Sequence, residues 1–124
     1  MKQRTADHLA TANANRDLAT TLAGAAGGTP TARYWSVVVA FYAAVHYINA
    51  YLRETQGLEP REHGERRRSL AQDAQLQPLA FRYRLLTIDA FDVRYTPNHR
   101  LRAAAIRRSL QTMREIEATV TSLL

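Results

Sequence analysis

The sequence predicts an all-α protein, an antiparallel bundle of four to five helices. Apolar residues recur at helical spacing in several segments, and no segment shows the period-2 alternation typical of a β-strand. Gly and Pro residues separate the periodic segments by short loops, which favours antiparallel packing of successive helices. A chain of 124 residues is large enough to bury a core, so we expect one domain over residues 1–124.

The apolar stretch Tyr34–Leu52 predicts the central helix of this bundle. It contains no charged residue, no Gly and no Pro, and it lies between Arg33 and Arg53. A helix of this length is also long enough to cross a bilayer. The stretch has polar residues in its interior, and the rest of the chain is polar and charged. These two features favour a helix buried at the centre of a soluble bundle, with no membrane partner.

The remaining elements follow from periodicity and from the usual start and stop signals of helices. Thr29 or Thr31 can cap the central helix and Gly57 can end it, while Thr96 or Asn98 can cap the last helix. The predicted order is a first helix at Lys2–Ala23, a loop at Gly24–Pro30, the central helix at Ala32–Gln56, a short arginine-rich helix after Pro60, a helical segment at Leu76–Val93 and a final helix at His99–Leu124.

Three polar residues share one stripe of the central helix. Tyr42, His46 and Asn49 fall at i, i+4 and i+7, so their side chains lie on the same face. We call these three residues the polar seam. The simple interpretation is that they satisfy one another by hydrogen bonds inside the core. The alternative is that the polar seam opens onto a functional site.

The charge of the chain favours an anionic partner. Lys and Arg together number 17 against 11 acidic residues, a net charge of +6. Lys2 is the single lysine, and the planar guanidinium of the other basic residues suits phosphate. RNA or a nucleotide is therefore the expected partner, and the candidate binding residues are His63, Arg66, Arg67 and Arg100. The other interpretation of the run around Arg66 is a solvated segment with internal ion pairs, since glutamates interleave with the arginines.

No metal site and no cofactor are predicted. The chain has no cysteine, and its four histidines form no ligand pair at helical spacing. The N-terminal residues lack the apolar region of a signal peptide, so we expect a cytoplasmic location.

A family resemblance adds to this interpretation. The stretch YWSVVVAFYAAVHYINAYL, followed by EPREH and then by YRLLTIDAFDVRY, resembles the helices of the HEPN superfamily (higher eukaryotes and prokaryotes nucleotide-binding domains). The resemblance covers about residues 5 to 120 and rests on the pattern of helices more than on identities. It implies an HEPN-like bundle of the divergent bacterial kind.

The segment from Arg94 to His99 resembles the motif of HEPN ribonucleases, in which four to six residues separate Arg from His. The resemblance implies a metal-independent endoribonuclease of toxin–antitoxin or defence type, with its site in a homodimer cleft. His99 would then act as general acid or base on RNA, and Arg94 would hold the scissile phosphate. Asp89 occupies the position of an acidic residue that some members carry five residues before the arginine.

Other functions remain open. The alternative that the resemblance implies is a non-catalytic HEPN module that binds nucleotide, RNA or a partner protein such as a nucleotidyltransferase or an antitoxin. Leu101 stands where a subset of HEPN toxins has the tyrosine that receives a nucleotide from such an enzyme. Arg94 could also pair with Asp92 or Asp89 while His99 begins a helix. A helical dimerisation domain without a ligand is the third interpretation.

Overall fold

The computed structural model describes residues 1–24 and 29–124, and these residues form five α-helices and no strand. The all-α prediction is therefore confirmed. The predicted loop Gly24–Pro30 falls mostly on residues 25–28, which lie outside the described residues. The helices are α1 (Gln3–Ala23), α2 (Pro30–Gln56), α3 (His63–Gln72), α4 (Ala80–Tyr95) and α5 (Ala103–Leu123), with a short 3₁₀ turn (Gln77–Leu79) before α4.

Helix α2 lies at the centre of the bundle, where α1, α3, α4 and α5 all contact it. Phe41, Ile48 and Leu52 have no exposed surface, and burial of such large apolar side chains is the main stabilising contribution to the fold. Pro30–Gln56 is the one helix among the described residues that is long and apolar enough to cross a membrane, but 78% of its most apolar window is buried inside the protein. This burial favours a core helix over a membrane span.

The ends of α2 agree with the start and stop signals in the sequence. The Thr29 hydroxyl accepts a hydrogen bond from the Ala32 amide at 3.1 Å, which caps the first turn. At the other end Gly57 adopts a left-handed conformation with φ of 69°, and its amide donates to the carbonyl of Arg53. A residue with a Cβ would be strained at this φ, so Gly57 ends the helix for a steric reason.

Helices α1 and α2 run antiparallel, since the start of α1 lies beside the end of α2. The amide of Lys2 donates to the Glu54 carboxylate at 2.8 Å. Further along, the Tyr47 hydroxyl donates to Asn13 at 2.6 Å and also lies 3.1 Å from the Glu117 carboxylate on α5. Tyr47 thus connects three helices through one buried hydroxyl.

Helices α4 and α5 also run antiparallel, as two ion pairs show. Arg108 on α5 donates to Asp89 on α4 at 2.6 Å, and Arg82 pairs with Glu115 closer to the start of α4. The inner face of α5 is buried in the core through Leu110, Met113, Ile116 and Val120.

The last helix begins later than predicted. Helix α5 starts at Ala103, and neither Thr96 nor Asn98 caps it; its N-cap residue is Arg102, which makes no side-chain capping bond. Asn98 instead has φ of 58°, a left-handed conformation that ends the turn after Pro97 rather than continuing into a helix. His99 therefore lies in the loop between α4 and α5.

Candidate functional site

The guanidinium of Arg94 projects from the last turn of α4 and is only partly used by the protein. Its Nε donates to the Ala90 carbonyl at 3.1 Å, and one Nη donates to the Tyr42 hydroxyl at 2.7 Å. It also lies over the rings of Phe41, Tyr42 and Tyr95, at 5.6, 5.6 and 5.2 Å from their centroids. No carboxylate of the described residues pairs with it. Since a guanidinium has five N–H donors, several remain for a ligand.

Arg94 and His99 line the same cleft. This cleft has a volume of about 300 Å³, and its walls include the aromatic residues Tyr34, Trp35 and Tyr95. A second depression of about 270 Å³ shares Tyr34 and His99 with it. The two cavities place a cation, an imidazole and several aromatic rings on one continuous surface. Such a surface provides an anion contact together with rings on which bases can stack.

His99 is held in the loop by its backbone rather than by its ring. Its amide donates to the Thr96 carbonyl at 3.2 Å. Its Nε2 lies 3.9 Å from an oxygen of Asp92, which is longer than a hydrogen bond. The alternative in which Arg94 pairs with an aspartate while His99 begins a helix is therefore wrong on both counts: the described residues place no carboxylate on Arg94, and His99 precedes α5.

Asp89 does not line the cleft with Arg94 and His99. Its carboxylate accepts the hydrogen bond from Arg108, and only 14% of its side chain is exposed. Asp89 therefore ties α4 to α5, and the carboxylate nearest to His99 in the described chain is that of Asp92.

The polar seam on α2 does form one face, but its members do not bond to one another. Each one instead contacts a different helix. Tyr42 accepts from Arg94 on α4, His46 pairs with a residue of α1, and Asn49 accepts from Arg66 on α3. The seam thus joins three helices to the central one.

The partner of His46 is His8, which the sequence did not single out. Their Nδ1 atoms lie 3.0 Å apart, and the other ring nitrogen of His8 lies 2.7 Å from the Glu59 carboxylate. Arg4 donates to the same carboxylate oxygen at 2.6 Å. Burial lowers the pKa of His46, and the nearby positive groups His8, Arg66 and Arg4 lower it further. The hydrogen bond from His8 is the main cause that lowers the pKa of Glu59.

The partner of Asn49 is Arg66, whose side chain is almost completely buried, with 3% exposed. Its Nε donates to the Asn49 amide oxygen at 3.1 Å, and one Nη donates to the Pro60 carbonyl at 2.9 Å. The other Nη lies 3.1 Å from the Nδ1 of His63. Arg66 is therefore a buried cation with neutral acceptors, not a surface arginine paired with the neighbouring glutamates.

The four candidate binding residues lie in different places. His63 packs its ring against Phe41, with 5.3 Å between the ring centroids, while Arg66 lies beneath it. Arg100 lines the smaller depression beside His99. Arg67 is exposed in a separate groove between α3 and α4, which does not include Arg94. The structure thus brings His63 and Arg66 together at the polar seam, and places Arg100 and Arg67 in two other depressions.

Among the described residues, no three histidine, aspartate or glutamate side chains come close enough together to hold a metal ion. Tyr34 and Trp35, which belong to the apolar stretch Tyr34–Leu52, are walls of the cleft. Their position at the first turns of α2, beside the loop after α4, could not be read from spacing along the chain.

Comparison of the chain with protein-family models, with curated proteins and with solved structures gives no significant match.

Proposed function

We propose that this protein is an HEPN-like, metal-independent endoribonuclease that binds RNA in the cleft of Arg94 and His99. The observation that supports this proposal is the shared cleft itself: an arginine without a carboxylate partner in the described chain and a histidine face the same space of about 300 Å³. The aromatic walls supply stacking surfaces for bases, which is how single-stranded RNA is usually held. The expected setting is a cytoplasmic toxin–antitoxin or defence system.

The proposed reaction needs only groups of the protein and of the RNA. The ribose 2′-oxygen attacks the adjacent phosphorus, so the P–O2′ bond forms while the P–O5′ bond breaks. One general base takes the proton of the 2′-hydroxyl, and one general acid gives a proton to the leaving 5′-oxygen. The products are a 2′,3′-cyclic phosphate and a 5′-hydroxyl end. Histidine suits either role because imidazole titrates near neutral pH, and Arg94 stabilises the charge that develops on the phosphorane oxygens.

A homodimer would supply both the acid and the base if its two-fold axis passed beside the cleft and so brought two copies of His99 together. The outer face of α4 supports a second copy as partner. Phe81 is 70% exposed and Phe91 is 53% exposed, and Ile88 and Tyr95 continue the same stripe beside Arg94. Apolar side chains of this size are rarely exposed together on a monomer. The apolar face of α5, in contrast, is already buried in the core of the protein itself.

A second candidate function is a non-catalytic HEPN module that binds RNA, nucleotide or a nucleotidyltransferase partner. One observation favours it. The His99 ring makes no hydrogen bond to an orienting group among the described residues, since Asp92 lies 3.9 Å away. Catalytic histidines normally have such a partner, although these bonds are often long before substrate binds.

Purified protein incubated with RNA in the presence of EDTA tests the proposal. We expect cleavage to continue when EDTA has removed metal ions. The products should carry 2′,3′-cyclic phosphate ends, which are detected with an RNA ligase that joins only such ends. His99→Ala should lower the rate by about 10²–10⁴-fold, the usual contribution of a positioned acid or base. Arg94→Ala should lower it comparably, and Arg94→Lys should recover only part because a lysine cannot form the bidentate fork.

Arg114→Ala is the matched control for Arg94, since Arg114 is exposed on α5 away from the cleft. It should leave the rate unchanged. Loss of activity in EDTA, or a wild-type rate for His99→Ala, would overturn the ribonuclease assignment. Binding of RNA without cleavage, sensitive to Arg94→Ala, would establish the second candidate instead.

A further inference from the structure

Arg66 holds an uncompensated positive charge under the protein surface. Its three hydrogen-bonding partners are an amide oxygen of Asn49, the carbonyl of Pro60 and the ring of His63, all of which can be neutral. Within residues 1–24 and 29–124 it forms no ion pair. Burying a charge without an opposite charge costs free energy. The charge of such a cation stabilises an anion that binds at the nearest part of the protein surface.

That nearest point is His63. A guanidinium can only donate, so the Nδ1 of His63 must accept the hydrogen bond from Arg66. The remaining ring proton then resides on Nε2, on the opposite side of the ring from Arg66. His63 is exposed, so this N–H can reach a ligand. Arg66 therefore fixes both the tautomer and the orientation of His63.

The positive field at His63 also reaches the cleft of Arg94. Both groups contact the Phe41 ring, whose centroid lies 5.3 Å from the His63 ring and 5.6 Å from the guanidinium carbon of Arg94. Partial burial lowers the pKa of His63, and the charges of Arg66, Arg94 and Arg67 lower it further. An anion bound here would accept the hydrogen bond from Nε2 of the neutral ring and would lie close to the positive charge of Arg66.

We propose that His63, oriented by the buried Arg66, binds a second phosphate of the same RNA strand whose first phosphate lies at Arg94. This inference rests on the proposed function and specifies its substrate class. A ligand that fills both positions carries two separate phosphates, as an oligonucleotide does, whereas a nucleoside monophosphate can fill only one of them. The exposed ring of Tyr42, which also touches Arg94, lies beside Phe41 and offers a stacking surface along this path.

Binding of a short fluorescent 2′-O-methyl RNA, which resists cleavage at the 2′-position, provides the test by fluorescence anisotropy across a salt series. His63→Ala removes the proposed contact, and Asn49→Asp supplies an internal counter-charge to Arg66 without touching the RNA. Arg68→Gln is the control, because it changes the net charge by the same amount as Asn49→Asp. Arg68 belongs to a different depression, which also contains Glu65.

We expect His63→Ala and Asn49→Asp each to weaken binding by about tenfold, equivalent to ~1.4 kcal/mol. For Asn49→Asp the slope of log affinity against log salt should fall by up to about 0.7, the value for one neutralised phosphate on a single strand. For His63→Ala the slope should stay the same, because a neutral ring carries no charge that releases a counterion. A labelled mononucleotide should bind these variants and the wild type equally. Circular dichroism checks the fold, and His63→Ala keeps the test decisive if Asn49→Asp does not fold, since His63 is exposed.

The outcomes separate this inference from the proposed function. Suppose that Arg94→Ala weakens RNA binding, but His63→Ala and Asn49→Asp change the affinity no more than Arg68→Gln does. The second phosphate position is then wrong, while the proposal that RNA binds in the cleft of Arg94 is retained. If the wild-type protein binds no RNA, both fail together. If an acidic peptide competes as well as RNA and depends on His63, the site recognises carboxylates and the inference is also wrong.

Discussion

Acidification should destabilise the folded protein, because the pair of His8 and His46 excludes a proton that the unfolded chain accepts. With Nδ1 atoms 3.0 Å apart, the pair has room for one shared proton, and a second would place two N–H groups against each other. Burial and the nearby charges lower the pKa of His46 below its ordinary value of 6.5. The pKa of His63 is lowered as well, again with burial as the main cause.

The size of the effect follows from the number of protons. Below the unfolded pKa of 6.5, the unfolded chain carries up to one more proton on His46 and one more on His63 than the folded protein does. Each extra proton changes the free energy of unfolding by at most about 1.4 kcal/mol per pH unit, and stability falls as pH falls. The loss levels off once pH is below the folded-state pKa values. Glu59, whose pKa is lowered from 4.5, adds a separate loss only at still lower pH.

Urea unfolding followed by circular dichroism, at a series of pH values between about 5 and 8, measures this slope. His46→Leu should reduce the slope of the free energy of unfolding against pH by the contribution of that histidine. His63→Ala should also reduce the slope, because the pKa of His63 is lowered in the folded protein as well. Equal slopes for the wild type and His46→Leu would refute the reasoning, as would a wild-type protein that becomes more stable on acidification.

Four further changes test other parts of the structure. Tyr42→Phe removes the hydroxyl that orients Arg94, so RNA affinity should fall by up to about tenfold, measured by anisotropy, with a stability loss of about 1 kcal/mol or less in urea. Phe91→Asp should convert a dimer to a species of 14.0 kDa in light scattering with an unchanged circular dichroism spectrum; a wild type that already has that mass at all concentrations would contradict the dimer. Ile116→Ala should cost about 2–5 kcal/mol in urea, since the side chain is fully buried, and a loss below that range would mean that the core repacks around it. Asp89→Asn should change stability by about 1 kcal/mol or less and leave RNA cleavage intact; a large loss of cleavage would return Asp89 to the site.

The helices could be predicted from the sequence where a local signal determines them. An uncharged run bounded by arginines identified the central helix, and Gly57 ended it as expected, because left-handed backbone strongly favours glycine. The start of α5 could not be predicted in the same way. Asn98 was interpreted as a cap, but its side chain also tolerates the left-handed conformation that it adopts here, and the sequence does not distinguish these two uses.

The contacts of the candidate site were beyond the sequence for a different reason. The helical repeat places Tyr42, His46 and Asn49 on one face, but it does not state what faces them. Their partners come from three other helices, and the hydrogen bond between His8 and His46 joins residues 38 positions apart. Such pairings depend on how the helices pack. Tyr34 and Trp35 were missed as cleft residues for the same reason.

The polar seam also sets the positions of Arg94 and His63, the two groups that we propose to contact phosphate. A central helix with apolar residues at these three positions could pack as well or better, since buried polar contacts often add little net stability. Hydrogen bonds are directional, however, so each one forms only when its donor and acceptor have the right distance and angle. The Tyr42 hydroxyl fixes the Arg94 guanidinium, and Asn49 fixes Arg66, which in turn orients His63. Two of the basic groups proposed to contact phosphate therefore take their geometry from one helix. A shift of α3 or α4 along α2 would break these hydrogen bonds, so the seam favours the one packing that holds Arg94 and His63 in their present positions.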